Sequence, residues 1–288
     1  MILYDYMTEI KHILQTHKDR ETRVTKLRKL LSDSEAILKK HIESREVSID
    51  TVVEYLLQPA TQRRIAHYEL GNWIRGGHKV ARKLKSLLGE TPEPSIVLYP
   101  GLRRVNGKIL HLRGNPVIAL SPDFGYCSGH NMSILIAHEY VHYLRARTAG
   151  IKFEKMPLHR LIFEEGLAVY ITAQTMPELP LPAIFMSALH NKVGMKDPPG
   201  GYIRWCKANL RKLASAALES LASSDEEDLA KFFTCGRFAG KSTPIRTGYY
   251  LGFKVIETAV EEYNPAELIR VKPSIRRVRG WLTALAEA

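Results

Sequence analysis

The sequence predicts a mostly helical α+β fold, in which a small β-sheet packs on one central helix and helical regions lie on both sides of a cleft. Apolar residues recur at helical spacing before residue 90 and after residue 180, and a short segment between them is rich in β-forming residues. Hydrophobic residues make up 45% of the chain and charged residues 25%, as in an ordinary globular protein. This balance excludes a wholly disordered chain and a multi-span membrane protein.

Two helical regions are predicted, an N-terminal one over residues 1–90 and a C-terminal one over residues 181–288. In the first region, apolar residues recur three and four positions apart, and one helix is expected from about Thr61 to Leu88 with a break at Gly76–Gly77. Prolines and glycines divide the second region into several helices.

The middle region, residues 91–180, is predicted to contain the sheet. Three short strands are expected there, each bounded by turn-forming residues: Ser95–Gly101, Lys108–Leu112 and Pro116–Leu120. Two helices follow, at about residues 131–147 and 158–176, and each ends before a glycine or a proline.

The chain is basic, with 42 Lys and Arg against 30 Asp and Glu and a formal charge of +12. Such a charge favours nucleic acid or acidic proteins as partners without choosing between them. Neither a signal-peptide pattern nor a run of about 18 apolar residues is present, so we expect a cytoplasmic protein with no membrane partner. Three cysteines without close spacing, Cys127, Cys206 and Cys235, fit a reducing compartment.

Residues 138–142, His-Glu-Tyr-Val-His, have the pattern H-E-x-x-H. On a helix, positions i and i+4 lie on one face, so both imidazoles can reach one metal ion. Glu139 lies beside that face, where its carboxylate can accept a proton from a metal-bound water. The flanking residues are apolar, and two histidines and a carboxylate in a buried helix need a stabilising partner. The alternative is a pair of core histidines whose hydrogen bonds are satisfied within the protein.

A third ligand is expected from the next helix, which carries Glu164 and Glu165. Zinc enzymes of this kind hold the ion with two histidines and one further side chain, which leaves one position for water. Glu165 shares its face with apolar residues, whereas Glu164 shares a more mixed face with Arg160 as well as with Leu161 and Leu167. We therefore predict that Glu165 is the buried carboxylate and the ligand. Three more histidines are alternative additional ligands: His111, His130 and His159.

The combination of His138-Glu139-x-x-His142 with Glu165-Gly166-x-Ala168 resembles the gluzincin zinc metallopeptidases, whose motif is H-E-x-x-H with a downstream E-G-x-A. The fuller strings HEYVHYLR and EEGLAVY are most similar to a bacterial family of uncharacterised predicted zinc-dependent proteases, over about residues 95–260. The resemblance implies that residues 91–180 are a zinc-binding catalytic subdomain. It also implies one Zn²⁺ per chain on His138, His142 and Glu165, Glu139 as the proton acceptor, and a peptide or protein substrate.

The resemblance also implies a tyrosine that stabilises the oxyanion. Residues 247–252 resemble the Y-x-x-G segment whose tyrosine has this role in the aminopeptidase branch of the gluzincins. Tyr249 lies three residues before Gly252 and holds the matching position, and Tyr250 is the alternative. A pair of core tyrosines without a catalytic role is the other interpretation.

The chain lacks the G-x-M-E-N signature that aminopeptidases carry before the zinc helix, so we expect an endopeptidase. By resemblance to other gluzincins, Pro116–Leu120 is expected to pair with an extended substrate. The rival hypothesis is a basic module that binds nucleic acid or acidic proteins and has a structural or vestigial metal site. Its basic residues cluster at Arg75–Lys85 and Arg276–Arg279.

Overall fold

The computed structural model describes residues 2–34, 47–102, 106–124, 129–186, 199–233 and 246–288. These residues are 68% helical and include a small mixed sheet of four strands, so the prediction of a mostly helical α+β fold is confirmed. No helix among the described residues is both long enough and apolar enough to cross a lipid bilayer.

The strands are β1 (Ile2–Asp5), β2 (Ile96–Leu98), β3 (Gly107–Leu112) and β4 (Asn115–Leu120). The helices of the first half of the chain are α1 (Tyr6–Thr16), α2 (Arg20–Ser32), α3 (Ile49–Leu57), α4 (Pro59–Ala66), α5 (Leu70–Leu88) and α6 (Gly129–Ala149), with a 3₁₀ turn at Pro122–Phe124. Those of the second half are α7 (Leu158–Thr175), α8 (Leu181–Met186), α9 (Pro199–Ala208), α10 (Leu210–Glu219), α11 (Glu226–Phe233), α12 (Thr247–Ala259), α13 (Pro265–Leu268) and α14 (Ile275–Glu287).

The chain divides into two compact units. One consists of Met1–Ala81 and Pro92–Glu139, and the other of Arg82–Thr91 and Tyr140–Ala288. The functional division into residues 1–90, 91–180 and 181–288 stays a prediction.

The sheet of the first unit has the strand order β1-β2-β4-β3. β1 pairs with β2 and β2 with β4 in parallel, whereas β3 and β4 form an antiparallel hairpin. The hairpin turns at Arg113 and Gly114, both of which have positive φ angles (50° and 82°), as a tight two-residue turn requires. The three predicted strands are therefore present, at nearly the predicted positions.

Two predictions about the sheet are wrong. Residues 1–90 are not helical throughout, because β1 at Ile2–Asp5 is a strand. Pro116–Leu120 cannot pair with a substrate strand, because it lies in β4, whose two edges are occupied by β2 and β3. The sequence alone does not order the strands, and the order decides which edges are open.

The predicted helix at Thr61–Leu88 is interrupted in a different place. α4 ends at Ala66 and α5 begins at Leu70, whereas Gly76 lies inside α5. A side chain at Gly76 would place its Cβ 2.6 Å from the Cε atom of Met132 on α6. The glycine therefore serves close packing of α5 on α6 rather than a helix break.

Buried Asp123 fixes the turn that follows β4. Its carboxylate accepts hydrogen bonds from the backbone N–H of Gly101 at 2.9 Å and from the hydroxyl of Tyr55 at 2.8 Å. Its carbonyl oxygen accepts a hydrogen bond from Nε of Arg64 at 3.0 Å. Since buried polar groups are stable only when their hydrogen bonds are made, this network holds the turn against α3 and α4.

Candidate metal centre

His138 and His142 lie one turn apart on α6, a helix that is buried on all sides from residue 134 to residue 146. Their relative exposures are 3% and 5%. The ring of Phe153 contacts the imidazole of His142 edge-on, with 4.9 Å between the ring centres. The apolar sequence of α6 thus places both histidines in the interior, as the pattern predicts.

Glu165 of α7 completes a group of three potential ligands. One nitrogen from each of His138 and His142 and one carboxylate oxygen of Glu165 all lie within 4.8 Å of one another. Nε2 of His142 and Oε2 of Glu165 are 3.6 Å apart, and the Glu165 side chain is 16% exposed. The structure therefore brings together the three residues that the sequence predicts as ligands.

These residues fit a zinc ion by their chemistry and spacing. Two imidazoles and one carboxylate are a donor set of catalytic zinc sites, and they leave one position for water. Two ligands on a tetrahedral ion with bonds of about 2.1 Å lie roughly 3.4 Å apart. The 3.6 Å between His142 and Glu165 is close to that value. The cluster is compatible with a zinc site.

Glu139 is buried beside the histidines, with a relative exposure of 5%. Its carboxyl group packs against the start of β3, where a Cβ atom on Gly107 would lie 2.6 Å from Cγ and 2.7 Å from Oε1 of Glu139. Burial raises the pKa of Tyr99 well above its usual range, and the charges of Asp123 and Glu139 raise it further. Tyr99 is therefore a neutral phenol close to the Glu139 carboxylate.

The prediction that Glu165 is the more buried of the two carboxylates is wrong. The residue chosen as a ligand is nevertheless the one that lies near the histidines. Glu164 is the more buried of the two carboxylates, with a relative exposure of 1%. Its charge is paired with Arg145, whose Nε lies 2.8 Å from Oε2 of Glu164. The sequence argument treated burial as a sign of metal binding, whereas an arginine from α6 stabilises the buried Glu164 instead.

Gly166 and Gly252 lie at the crossing of α7 and α12. A Cβ atom on Gly166 would lie 2.2 Å from the carbonyl carbon of Gly252, and one on Gly252 would lie 2.3 Å from the carbonyl oxygen of Ile162. The two helices therefore touch through their backbones. Gly166 of the E-G-x-A motif therefore contacts Gly252 of the Y-x-x-G segment. Since Gly166 directly follows Glu165, α12 touches α7 next to the candidate ligand.

The two candidate tyrosines of α12 have different surroundings. Tyr249 is half-buried and its ring centre lies 5.5 Å from that of Phe233. Tyr250 is buried, with 5.8 Å between its ring centre and that of Phe185, and burial raises its pKa to about 12. A catalytic role for either tyrosine stays a prediction.

The remaining candidate histidines and cysteines do not belong to the group of three potential ligands among the described residues. His159 places Nδ1 3.2 Å from the carbonyl oxygen of Leu221, and burial lowers its pKa. Among the described residues, the group of potential ligands does not include His111, His130 or His159. Cys206 is buried, and burial raises its pKa to about 12, while Cys127 and Cys235 lie outside the described residues.

Sequence reasoning missed two features of the site. One is the pair of Arg145 and Glu164, for which the signal was an arginine within an otherwise apolar stretch of α6. The other is Gly107, which has no distinguishing signal, because its contact with Glu139 arises only when β3 packs beside α6.

Comparison with known proteins supports the resemblance to the family of predicted zinc-dependent proteases. Neither a search of curated proteins nor one of solved structures gives a match. A family model described as "Predicted Zn-dependent protease (DUF2268)" matches residues 117–274, which is more than half of the chain and includes His138, His142 and Glu165. The chain therefore belongs to this family of predicted zinc-dependent proteases.

Proposed function

We propose that the protein is a zinc-dependent endopeptidase of the gluzincin type. The observation that carries this proposal is the convergence of His138, His142 and Glu165 within 4.8 Å, next to the buried carboxylate of Glu139. Membership of a family of predicted zinc-dependent proteases supports it. A structural zinc site would be closed by a fourth protein ligand, whereas the group among the described residues has three.

Glu139 is proposed to move the proton. His138, His142 and Glu165 would hold the zinc ion, which would supply a Lewis acid able to lower the pKa of a bound water to about 7 and to polarise a carbonyl group. The Glu139 carboxylate would accept the water proton and later deliver it to the amine that leaves. Its burial and its contact with Gly107 support this role, because both restrict where the carboxylate can lie.

Tyr249 is proposed to donate a hydrogen bond to the oxyanion that forms on the substrate carbonyl. Two observations support Tyr249 over Tyr250. Tyr249 lies three residues before Gly252, on the face of α12 that meets α7. It is also half-buried, whereas Tyr250 is buried against Phe185 and less accessible to a substrate.

The open edge of β3 is proposed as the place where an extended substrate pairs, instead of Pro116–Leu120. The strand order puts β3 at one edge of the described sheet. Its first residue, Gly107, lies against Glu139. A peptide added to this edge would run beside the proposed proton acceptor.

Substitution of Glu139 and His138 tests the proposal. The protein is purified without chelator, and its zinc content and its cleavage of internally quenched peptides are measured. Wild type should hold about one zinc per chain, and Glu139→Gln should keep the zinc and cleave about 10²- to 10⁴-fold more slowly. His138→Ala should lose both. Cleavage by Glu139→Gln at the wild-type rate would contradict the proposed mechanism.

Binding of nucleic acid or acidic proteins stays a prediction. Within the basic cluster at Arg75–Lys85, Lys83 pairs with Glu178 at 2.8 Å and Lys85 pairs with Glu90 at 2.7 Å. These carboxylates reduce the positive charge that α5 presents to a phosphate backbone. A basic binding module would bind RNA or DNA with a steep salt dependence that Glu139→Gln leaves unchanged.

A further inference from the structure

A buried arginine connects the two ligand-bearing helices to the C-terminal part of the chain. Arg145 is fully buried and binds Glu164 with two hydrogen bonds, from Nε at 2.8 Å and from a terminal nitrogen at 2.5 Å. Its other terminal nitrogen donates to the carbonyl oxygens of Leu268 (3.1 Å), Ile269 (2.8 Å) and Val271 (2.6 Å). We call this group of five residues the Arg145 clamp.

The clamp is adjacent to the metal ligands along both helices. Arg145 lies three residues after His142 on α6, which is one turn further along nearly the same face. Glu164 directly precedes Glu165 on α7. A pair that fixes the distance between Arg145 and Glu164 therefore also limits the distance between His142 and Glu165.

The chemistry of the clamp requires an arginine. A guanidinium has a planar fork of donors that binds a carboxylate at two points and still has nitrogens for the carbonyl oxygens. The ring of Phe163 lies 5.3 Å from the central guanidinium carbon and covers it further. A lysine has one nitrogen on a flexible chain and cannot reach the carboxylate and the carbonyl oxygens together.

The clamp also keeps Glu164 from acting as a second carboxylate at the ion. Both carboxylate oxygens of Glu164 are engaged by Arg145, whereas Glu165 contributes the oxygen that lies near His142. The positive guanidinium balances the charge of Glu164, which leaves Glu165 as the carboxylate next to the histidines.

We propose that Arg145 and Glu164 are positioning residues that set the zinc affinity of the site, and that the clamp couples this affinity to the segment Leu268–Val271. This inference rests on the proposed zinc site. Substitution of residues that hold metal ligands in position typically lowers the metal affinity by about 10- to 100-fold. Coupling of this kind is reciprocal, so zinc binding must in turn stabilise the segment.

Zinc affinity of clamp variants provides the first test. Arg145→Lys and Glu164→Gln are compared with wild type by competition with a zinc chelator, and the spectrum of the cobalt-loaded protein reports ligand geometry. We expect both variants to bind zinc about 10- to 100-fold more weakly and to shift the cobalt spectrum. Glu164→Asp keeps the negative charge, so it should bind zinc more tightly than Glu164→Gln and more weakly than wild type.

Leu213→Ala is the matched control, because Leu213 is a buried core residue of α10 outside the clamp. It should lower the thermal stability while leaving the zinc affinity and the cobalt spectrum unchanged. Clamp variants that bind zinc like wild type would overturn the inference and leave the proposed function intact. A wild-type protein that binds no zinc would overturn both.

Hydrogen exchange of the wild-type protein gives a second test that does not depend on the variants folding. The amide groups of Leu268 and Val271 donate to the carbonyl oxygens of Asn264 and Glu267. Added zinc should slow exchange of these amides relative to those of α1, which carries none of the clamp residues. Equal exchange in the segment with and without zinc would overturn the proposed coupling.

Discussion

Gly107 packs against the Glu139 side chain, and substitution of this glycine by alanine tests whether the position of the carboxylate matters for cleavage. Alanine at Gly107 would put a Cβ atom 2.6–2.7 Å from the end of the Glu139 side chain. Because the atoms in the way belong to a side chain and not to the backbone, we expect Gly107→Ala to displace the carboxylate without unfolding the protein. Peptide cleavage should fall about 10- to 100-fold, as for other small displacements of catalytic groups, while the zinc content stays at the wild-type level.

Gly280→Ala is a suitable control for Gly107→Ala. Gly280 lies on α14, away from the proposed site in the sequence, and among the described residues a Cβ atom there would meet no atom beyond its own helix within 4 Å. Cleavage by this variant should match wild type. A Gly107→Ala protein that cleaves as fast as Gly280→Ala would show that the carboxylate of Glu139, the proposed proton acceptor, has room to move.

Among individual residues, the grouping of the three candidate ligands was predictable from the sequence, whereas the contacts of the neighbouring Glu164 were not. The spacing of His138 and His142 determines that they share a helix face, and no other part of the chain is needed for that inference. The role of Glu164 depends on Arg145, nineteen residues earlier along the chain. Periodicity describes a side chain's own helix, so it could not show which buried carboxylate is paired with an arginine.

The crossing of α7 and α12 should tolerate no side chain at either glycine. Gly252→Ala would push a Cβ atom to 2.3 Å from the carbonyl oxygen of Ile162, and backbone atoms cannot move aside as a side chain does. We expect the free energy of unfolding to fall by about 3 kcal/mol, with a similar loss for Gly166→Ala. Urea denaturation measures both.

Gly280→Ala is the control for this loss. Gly280 lies in the middle of α14, and among the described residues a Cβ atom there would meet no atom beyond its own helix within 4 Å. Alanine favours a helix over glycine by about 0.5–1 kcal/mol, so this variant should be more stable than wild type. A crossing variant that gains stability as Gly280→Ala does would contradict the close backbone contact.

At the scale of elements, local signals predicted β2, β3 and β4 because each has turn residues at its ends. β1 has no such signal, since four residues of mixed polarity run directly into α1 at Tyr6. It is a strand because Ile96–Leu98 offers it a parallel partner more than ninety residues later. The same dependence on distant pairing explains why β4, rather than β3, was expected to have an open edge.

The whole molecule should lose stability in alkali because of its buried phenols. Burial raises the pKa of Tyr55 and of Tyr250 from about 10 to about 12, and burial also raises the pKa of Tyr202 well above its ordinary value. Between these values the unfolded chain releases protons that the folded protein retains. The stability contributed by these groups is therefore complete below about pH 10 and is lost as the pH rises towards 12.

Urea denaturation over this pH range, with phenolate absorbance recorded in parallel, measures the effect. The free energy of unfolding should fall steadily, and these phenols should ionise together with unfolding. A free energy of unfolding that stays constant across the interval would mean that the three tyrosines are open to solvent in the folded protein.

The parallel pairing of β1 with β2 has a consequence for the order of events during synthesis. β1 leaves the ribosome well before its partner at Ile96–Leu98 and the next strand, β4, which emerge only after α1–α5 have been made. The sheet can therefore form only after a large part of the chain has been synthesised. Glu165 is translated later still, so a ribosome-bound chain holds all three candidate ligands only after the whole sheet has been made.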